Sequence, residues 1–239
     1  ANVVSGAADK GLYAYIKHFA LNDQETFRTE ALCTWADEQT IREIYLKPFE
    51  IVVKEAKTTI DYISDENGTH SQKEMNACTA VMSSFNRIGT TWSGGNKALM
   101  TDVLRGEWGF KGFAISDFNL YDYMNTDQGM RAGTDMQLTW LASDTMPFGR
   151  PNYSDTKSGT ARQAIRTAYH NVFYTIANSN AMQGIAPGTI ITYKPSGWRV
   201  AFWILDAVLG TFLVCGTAWV VYRTFKFNSK SKSEESTQN

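Results

Sequence analysis

Cysteine, histidine and excess charge are all scarce in this 239-residue chain, and each scarcity closes off a class of function. Cys33, Cys78 and Cys215 lie far apart with no Cys-x-x-Cys pair, and His18, His70 and His170 share no ligand spacing with them or with one another. The pattern argues against a structural zinc site or a disulfide scaffold and leaves open a single Cys33 to Cys78 bridge. With 23 Lys+Arg against 24 Asp+Glu, the formal net charge of -1 supplies no long-range field for a polyanion. No basic stripe occurs in the first 190 residues, so no nucleic-acid partner is expected. Nor is the composition that of a disordered chain, since 13% of residues are aromatic and 20% charged. The opening Ala1-Asn2-Val3-Val4 has neither an initiator Met nor a basic-then-apolar leader. An upstream segment is therefore expected.

What the chain does have, near its end, is a long apolar run. From Val200 to Val221 the only formal charge is Asp206. At about 1.5 Å per residue this makes a helix of roughly 33 Å, enough for a hydrocarbon core of about 30 Å. Trp198 and Trp203 at one end, with Trp219 and Tyr222 at the other, suit the interfacial aromatic belts. The expected anchor covers residues 198–222, making the lipid bilayer a partner. Arg223, Lys226, Lys230 and Lys232 follow it, against Lys194 and Arg199 before it. The positive-inside rule then predicts a single-pass protein of the cell membrane, with residues 1 to about 197 outside and a disordered basic tail, 223–239, in the cytoplasm. Asp206, about one and a half turns into the span, reads first as tolerated near the outer interface.

Upstream of a linker at 186–197, residues 1–185 repeat the order strand, loop, helix. Gly11 to Lys17 reads as a strand opening into a polar loop. Helical spacing follows from Thr34 through Ile41, Ile44 and Tyr45, and a second helix starts at Pro48. Further strands are expected at Thr79 to Phe85, Gly112 to Ser116 and Asp135 to Thr139. The segments after them predict a Gly-rich loop at Asn86 to Gly95, a helix from Asn96 to about Trp108, and a loop or helix running to Arg131. A long helix from about Thr160 to Ser179 should pack Ala164, Ile165, Ala168, Val172 and Ile176 on one face. Alternating strands and helices indicate a parallel sheet covered by helices. Lys17 with His18, Asn86 and Asp117 all fall at C-terminal strand ends, where a (β/α)-barrel builds its site. The fold class is therefore α/β, a partial (β/α)8 TIM-like barrel of about four βα units plus one C-terminal transmembrane helix. The expectation is the second half of a barrel cut from a longer polypeptide.

Asp117, between Ser116 and Phe118, is a carboxylate near cations if the strands neighbour one another, which suits a nucleophile or charge stabiliser; capping the next helix is the structural alternative. Five collinear motifs then carry a resemblance. Lys17-His18-Phe19-Ala20-Leu21-Asn22-Asp23-Gln24-Glu25 with Arg28 resembles the Lys-His-Phe loop of glycoside hydrolase family 3, and Glu43 to Glu50 the helix that follows it there. Val81-Met82-Ser83-Ser84-Phe85-Asn86-Arg87, Leu104 to Gly112 and Ser116-Asp117-Phe118 appear in that family's order, with looser similarity through Ala132-Gly133-Thr134-Asp135 and the helix near Asn178.

The resemblance implies a β-glucosidase-like, retaining, exo-acting enzyme on terminal β-D-glucosyl or related β-glycosyl residues, with an oligosaccharide or glycoside as substrate. It makes Asp117 the nucleophile, Lys17 and His18 the pair that binds sugar hydroxyls, and Arg28 a supporting or sugar-contacting cation. Met82 and Phe85 become pocket walls, Phe85 standing where a Tyr is common, and Phe118 an aromatic face near the leaving group in place of the frequent Trp. The acid/base of β-glucosidase-like members is a Glu from a separate α/β sandwich; it and the first barrel half would lie upstream of Ala1. Ala20-Leu21-Asn22-Asp23 departs from the hexosaminidase pattern, and Glu25 and Glu66 are weaker local candidates. No cofactor or metal is implied, and residues 1–239 alone are expected to be inactive. The alternative reading is a catalytically degenerate carbohydrate-binding surface module. Asn67-Gly68-Thr69 and Asn152-Tyr153-Ser154 fit N-glycosylation triplets. Trp92-Ser93-Gly94-Gly95 reads as a loop near the sugar pocket.

Overall fold

The computed structural model describes residues 1–30, 32–119, 121, 123–139, 158–179, 181, 190 and 192–235. The triplet at 152–154 lies outside them. Two compact units divide the chain, Ala1–Pro187 and Gly188–Asn239.

In the first unit, α1 (Asn2–Ala8) precedes β1 (Tyr15–Phe19) and β2 (Cys33–Thr34). Next come α2 (Glu38–Thr40), a π-helical turn at Ile41–Tyr45, α3 (Lys47–Glu55) and the strands β3 (Lys57–Ile63) and β4 (His70–Asn76). β5 (Ala80–Ser83), β6 (Arg87–Ile88) and β7 (Thr91–Trp92) lead through a 3₁₀ turn into a π-helical segment, Ala98–Glu107. β8 (Phe113–Phe118), α4 (Thr126–Ala132), β9 (Met136–Leu138) and α5 (Gly159–Ala177) complete the unit. The principal sheet has the order β1-β5-β8-β9, parallel throughout, with helical segments between successive strands. This α/β architecture is part of a (β/α)8-type barrel.

Side-chain alternation sorts the sheet's two faces. Ile16, Phe19, Val81 and Ala114 join the helix-covered core with Leu46, Val53, Met100 and Leu104. Phe19 sits edge-on to Phe49 at 5.2 Å and to Trp108 at 5.8 Å between ring centres. The opposite face carries Tyr15, edge-on to Phe113 at 5.5 Å, and Met82 registered against Ile115. Asp117 shares the face of Phe113 and Ile115 by the same alternation.

Several boundaries differ from expectation. The first strand starts at Tyr15, because Gly11, at φ 79°, closes a turn behind α1 with its N–H on the Ala8 carbonyl. Thr34 ends a short strand, and the helix begins at Asp37, whose carboxylate accepts from the Thr40 N–H at 2.9 Å. The hairpin of β3 and β4 was unexpected: β4 is largely polar, so no apolar alternation marks the partner of β3. Asp65 ties its turn by accepting from the Asn67 and Thr69 amides, leaving Asn67 exposed. On α5 the buried positions are Ala161, Ala168, Asn171 and Thr175, and Ile176 is exposed. Polar bonds set that rotation, from Asn171 to Asp135 and from Thr175 to the Thr79 carbonyl. Neither Cys33 nor Cys78 is in a disulfide, so the bridge left open by the sequence does not form.

The second unit contains α6 (Gly197–Glu235), and its Gly197–Phe227 stretch is long and apolar enough to cross a membrane. Thr211, Thr217 and Thr224 donate to the carbonyls of Ala207, Leu213 and Val220, so these hydroxyls need no water. The helix continues to Glu235, into the segment expected as a disordered tail: Lys, Arg and Glu propagate a helix that is already nucleated.

Candidate active site

At the C-terminal ends of the parallel strands, β1 supplies Lys17 and His18, and β8 supplies Asp117 and Phe118. His18 Nε2 stands 3.2 Å from Asp117 Oδ2, across the intervening strand β5. That is ion-pair range without the alignment of a hydrogen bond, and Oδ2 has no other partner among the described residues. Asp117 Oδ1 accepts from the Phe118 N–H at 2.7 Å. Asp117 is 8% exposed, so it is a buried carboxylate with one anchored oxygen and one aimed at the imidazole. It lies within β8 rather than at the start of α4, whose cap is Asn125, accepting from the Gln128 N–H at 2.9 Å. The capping alternative is therefore corrected.

His18 has its pKa lowered from the ordinary value of 6.5. Partial burial is the main cause, reinforced by Lys17 and Arg28, while Asp117 and Glu25 pull the other way. A neutral imidazole at pH 7 can both donate and accept.

Arg28, on the loop after β1, pairs with Glu25 at 2.9 Å and places its guanidinium 4.9 Å from the Phe85 ring centre. Phe85 and Phe118 belong to one aromatic cluster with Trp92, Met124, Tyr121 and Tyr123. Tyr121 is edge-on to Phe85 at 5.8 Å and stacked on Tyr123 at 5.9 Å, and the Arg87 guanidinium lies 4.3 Å above the Tyr123 ring. Met82 is half-buried on the face that carries Asp117. The structure thus joins His18 to Asp117 and Arg28 to Phe85, with Lys17 acting on His18 through its field.

Asn86, also at a strand end, has a different part. It is fully buried, and its amide donates to the Ala20 carbonyl at 3.2 Å and to Thr34 Oγ1 at 3.0 Å, tying the exits of β1 and β5 to β2. Trp92-Ser93-Gly94-Gly95 is likewise packing. The Trp92 indole and Ser93 hydroxyl both donate to the Ser84 carbonyl, and a Cβ on Gly94 would come within 2.4 Å of Trp92. Sequence reasoning passed over Asn22, whose amide atoms are both buried without partners, and the Arg87, Tyr121 and Tyr123 stack. Their only sequence signal is aromatic density after Asp117. Glu25 is held by Arg28 and Glu66 is exposed in the hairpin turn, so neither is arranged as an acid beside Asp117.

Comparison with known proteins follows the same line. Residues 1–147 match the glycosyl hydrolase family 3 N-terminal domain. Beta-glucosidase B of Emericella nidulans is 36% identical over 138 residues, covering 58% of this chain, and a beta-glucosidase of Rhizobium radiobacter is 36% identical over 135 residues, covering 56%. The chain spans 14% of the length of each of these curated relatives. Among solved structures, beta-glucosidase 3B from Thermotoga neapolitana in complex with glycerol is 28% identical with a TM-score of 0.58, covering 75% of this chain and 23% of that one. A beta-glucosidase of Bifidobacterium adolescentis is 26% identical with a TM-score of 0.55, covering 79% and 24%.

Proposed function

The chain belongs to the glycosyl hydrolase family 3 N-terminal domain family, and on that premise we propose that it is the C-terminal barrel half of a membrane-anchored retaining exo-glycosidase acting on terminal β-D-glucosyl residues. The carrying observation is the placement of Asp117, buried and 3.2 Å from His18, at the carboxyl ends of two parallel strands that flank β5. Asp117 attacks the anomeric carbon and forms the glycosyl ester. Lys17 and His18 bind hydroxyls of the terminal sugar, with bonds that can strengthen as oxocarbenium character grows. Arg28 braces this corner, Met82 and Phe85 wall the sugar, and Phe118 offers a face near the departing group. The acid that protonates the leaving oxygen is assigned to a Glu of a separate sandwich domain. Retaining chemistry places it about 5 to 5.5 Å from Asp117.

Exposure of the sheet supports a half-barrel. Tyr15 on β1 is 44% exposed and Met136 on β9 is 41% exposed, apolar surface that four further strands would cover. Residues 198–222 serve as the anchor, with the ectodomain outside and the basic tail in the cytoplasm.

The test is stereochemical. Proton NMR of aryl β-glucoside hydrolysis by the full-length protein that carries this chain should show β-glucose as first product. Initial α-glucose would contradict retention, and no hydrolysis would contradict the activity itself.

A further inference from the structure

Outside the Asp117 and His18 pair, two donors at the aromatic cluster have nothing to donate to among the described residues. Arg87 Nη1 and the Tyr123 hydroxyl are each shielded from solvent and have no hydrogen-bond partner there. Stacking explains why they do not satisfy each other, since the guanidinium lies 4.3 Å over the Tyr123 ring centre rather than beside its oxygen. A cation–π contact stabilises the charge but leaves the N–H groups without an acceptor. No salt bridge of Arg87 occurs among the described residues, in contrast to Arg28, Arg42, Arg105 and Arg131. Buried donors in this state are completed by water or ligand.

The ligand's charge follows from the surroundings. Tyr123 lies within electrostatic range of Arg87, Asp117 and Arg28, and it shares its aromatic cluster with Phe118, the residue after the proposed nucleophile. Among the described residues, the cations Arg87 and Arg28 and the carboxylate Asp117 act on the Tyr123 phenol, so positive charge predominates there. Burial also pushes the Tyr123 phenol up to about 12, which keeps it a donor at any working pH. We propose that Arg87 Nη1 and the Tyr123 hydroxyl together bind a carboxylate carried by the glycoside, making acidic glycosides the preferred substrates. An anion between a guanidinium and a phenol receives two hydrogen bonds, one of them charge-assisted. The carboxylate can sit on the terminal sugar or on the leaving group, and the chemistry is the same for both.

This inference rests on the glycosidase reading, and the experiment separates their failures. With the detergent-solubilised full-length protein, kcat/KM is measured for 4-carboxyphenyl β-D-glucoside against 4-carbamoylphenyl β-D-glucoside, and for phenyl β-D-glucuronide against phenyl β-D-glucoside. One acidic substrate should exceed its neutral counterpart about ten-fold, and which one does so locates the carboxylate. Arg87→Gln should cut that ratio at least about five-fold, Tyr123→Phe should cut it several-fold, and Arg87→Lys should retain part of it. Tyr123→Phe removes a single oxygen and serves if Arg87→Gln does not fold. Ratios near one in the wild type, or a preference unchanged in Tyr123→Phe and in whichever Arg87 variants fold, overturn the carboxylate site while the glycosidase reading stands. Turnover of none of the four overturns the glycosidase reading and this inference with it.

Discussion

What a carboxylate can do depends on where it is held: Asp117 Oδ1 is anchored by the Phe118 amide at its own strand end, and Oδ2 lies 3.2 Å from the His18 imidazole. His18 is the group that reports this environment. Its pKa is lowered by burial first, and by Lys17 and Arg28, so the unfolded chain binds its proton more readily than the folded one. Stability should therefore fall as pH drops from 6.5 through His18's lowered value, and NMR should give a His18 midpoint below 6.5; a midpoint at or above 6.5 would contradict the environment described. Asp117→Asn keeps the shape and removes the proposed nucleophile, so kcat on an aryl β-glucoside should drop at least about a thousand-fold, with KM as the control for binding. A drop under ten-fold would place the chemistry elsewhere. Lys17, His18, Arg28 and Asp117 stand at ordered points of a recognisable motif series, and the structure brings His18 to Asp117. Asn86 was misread: a polar residue at a strand end looks chemical until its amide is found on the Ala20 carbonyl. Arg87 and Tyr123 were invisible, since their stacking joins segments 36 positions apart in the chain.

The strands carrying these residues are held by a polar clamp as well as by the apolar core. Asp135, just before β9, accepts from Arg105 at 2.6 Å, from the Ala114 amide at 2.8 Å and from Asn171 at 2.8 Å. It thereby joins β8, the π-helical segment and α5. Burial pushes its carboxyl up to about 6 against the pull of those donors, and Arg105 is only 14% exposed. Asp135→Ala leaves that guanidinium buried without its anion and should cost about 3–5 kcal/mol in urea unfolding, whereas a loss under 1 kcal/mol would contradict the clamp. Gly112→Ala should also destabilise, because a Cβ there would meet the Thr79 carbonyl oxygen at 2.1 Å where β5 and β8 begin. Apolar runs made β5 and β8 readable in the sequence, and the caps at Asp37, Asn125 and Ser158 obey ordinary chemistry. The hairpin β3–β4 was not readable, because β4, which pairs with β3 over seven registered positions, has no hydrophobic pattern of its own. The buried face of α5 was misjudged for a related reason: Asn171 and Thr175 point inward to bond, and periodicity counts only apolar side chains.

Considered whole, the protein joins a four-stranded parallel sheet to a helix whose Gly197–Phe227 portion can cross a bilayer. If that helix is the anchor, the full-length protein should stay with membranes through alkaline carbonate extraction, and deletion of residues 198–222 should release it. Release of the intact protein would contradict the anchor. Residues 1–239 expressed alone should show no aryl β-glucosidase activity, because β1 and β9 are edge strands of the sheet among the described residues and the proposed acid belongs to another domain. The parallel order was legible from alternating elements, while the apolar surface at Tyr15 and Met136 could be seen only once the sheet was built. All of this converges on one bond, from Asp117 to C1 of a terminal sugar. Incubating the full-length protein with a 2-deoxy-2-fluoro β-glucoside and mapping the labelled peptide by mass spectrometry tests it. The label should sit on Asp117; a label on another side chain, or none from a preparation that turns over aryl β-glucosides, would contradict it.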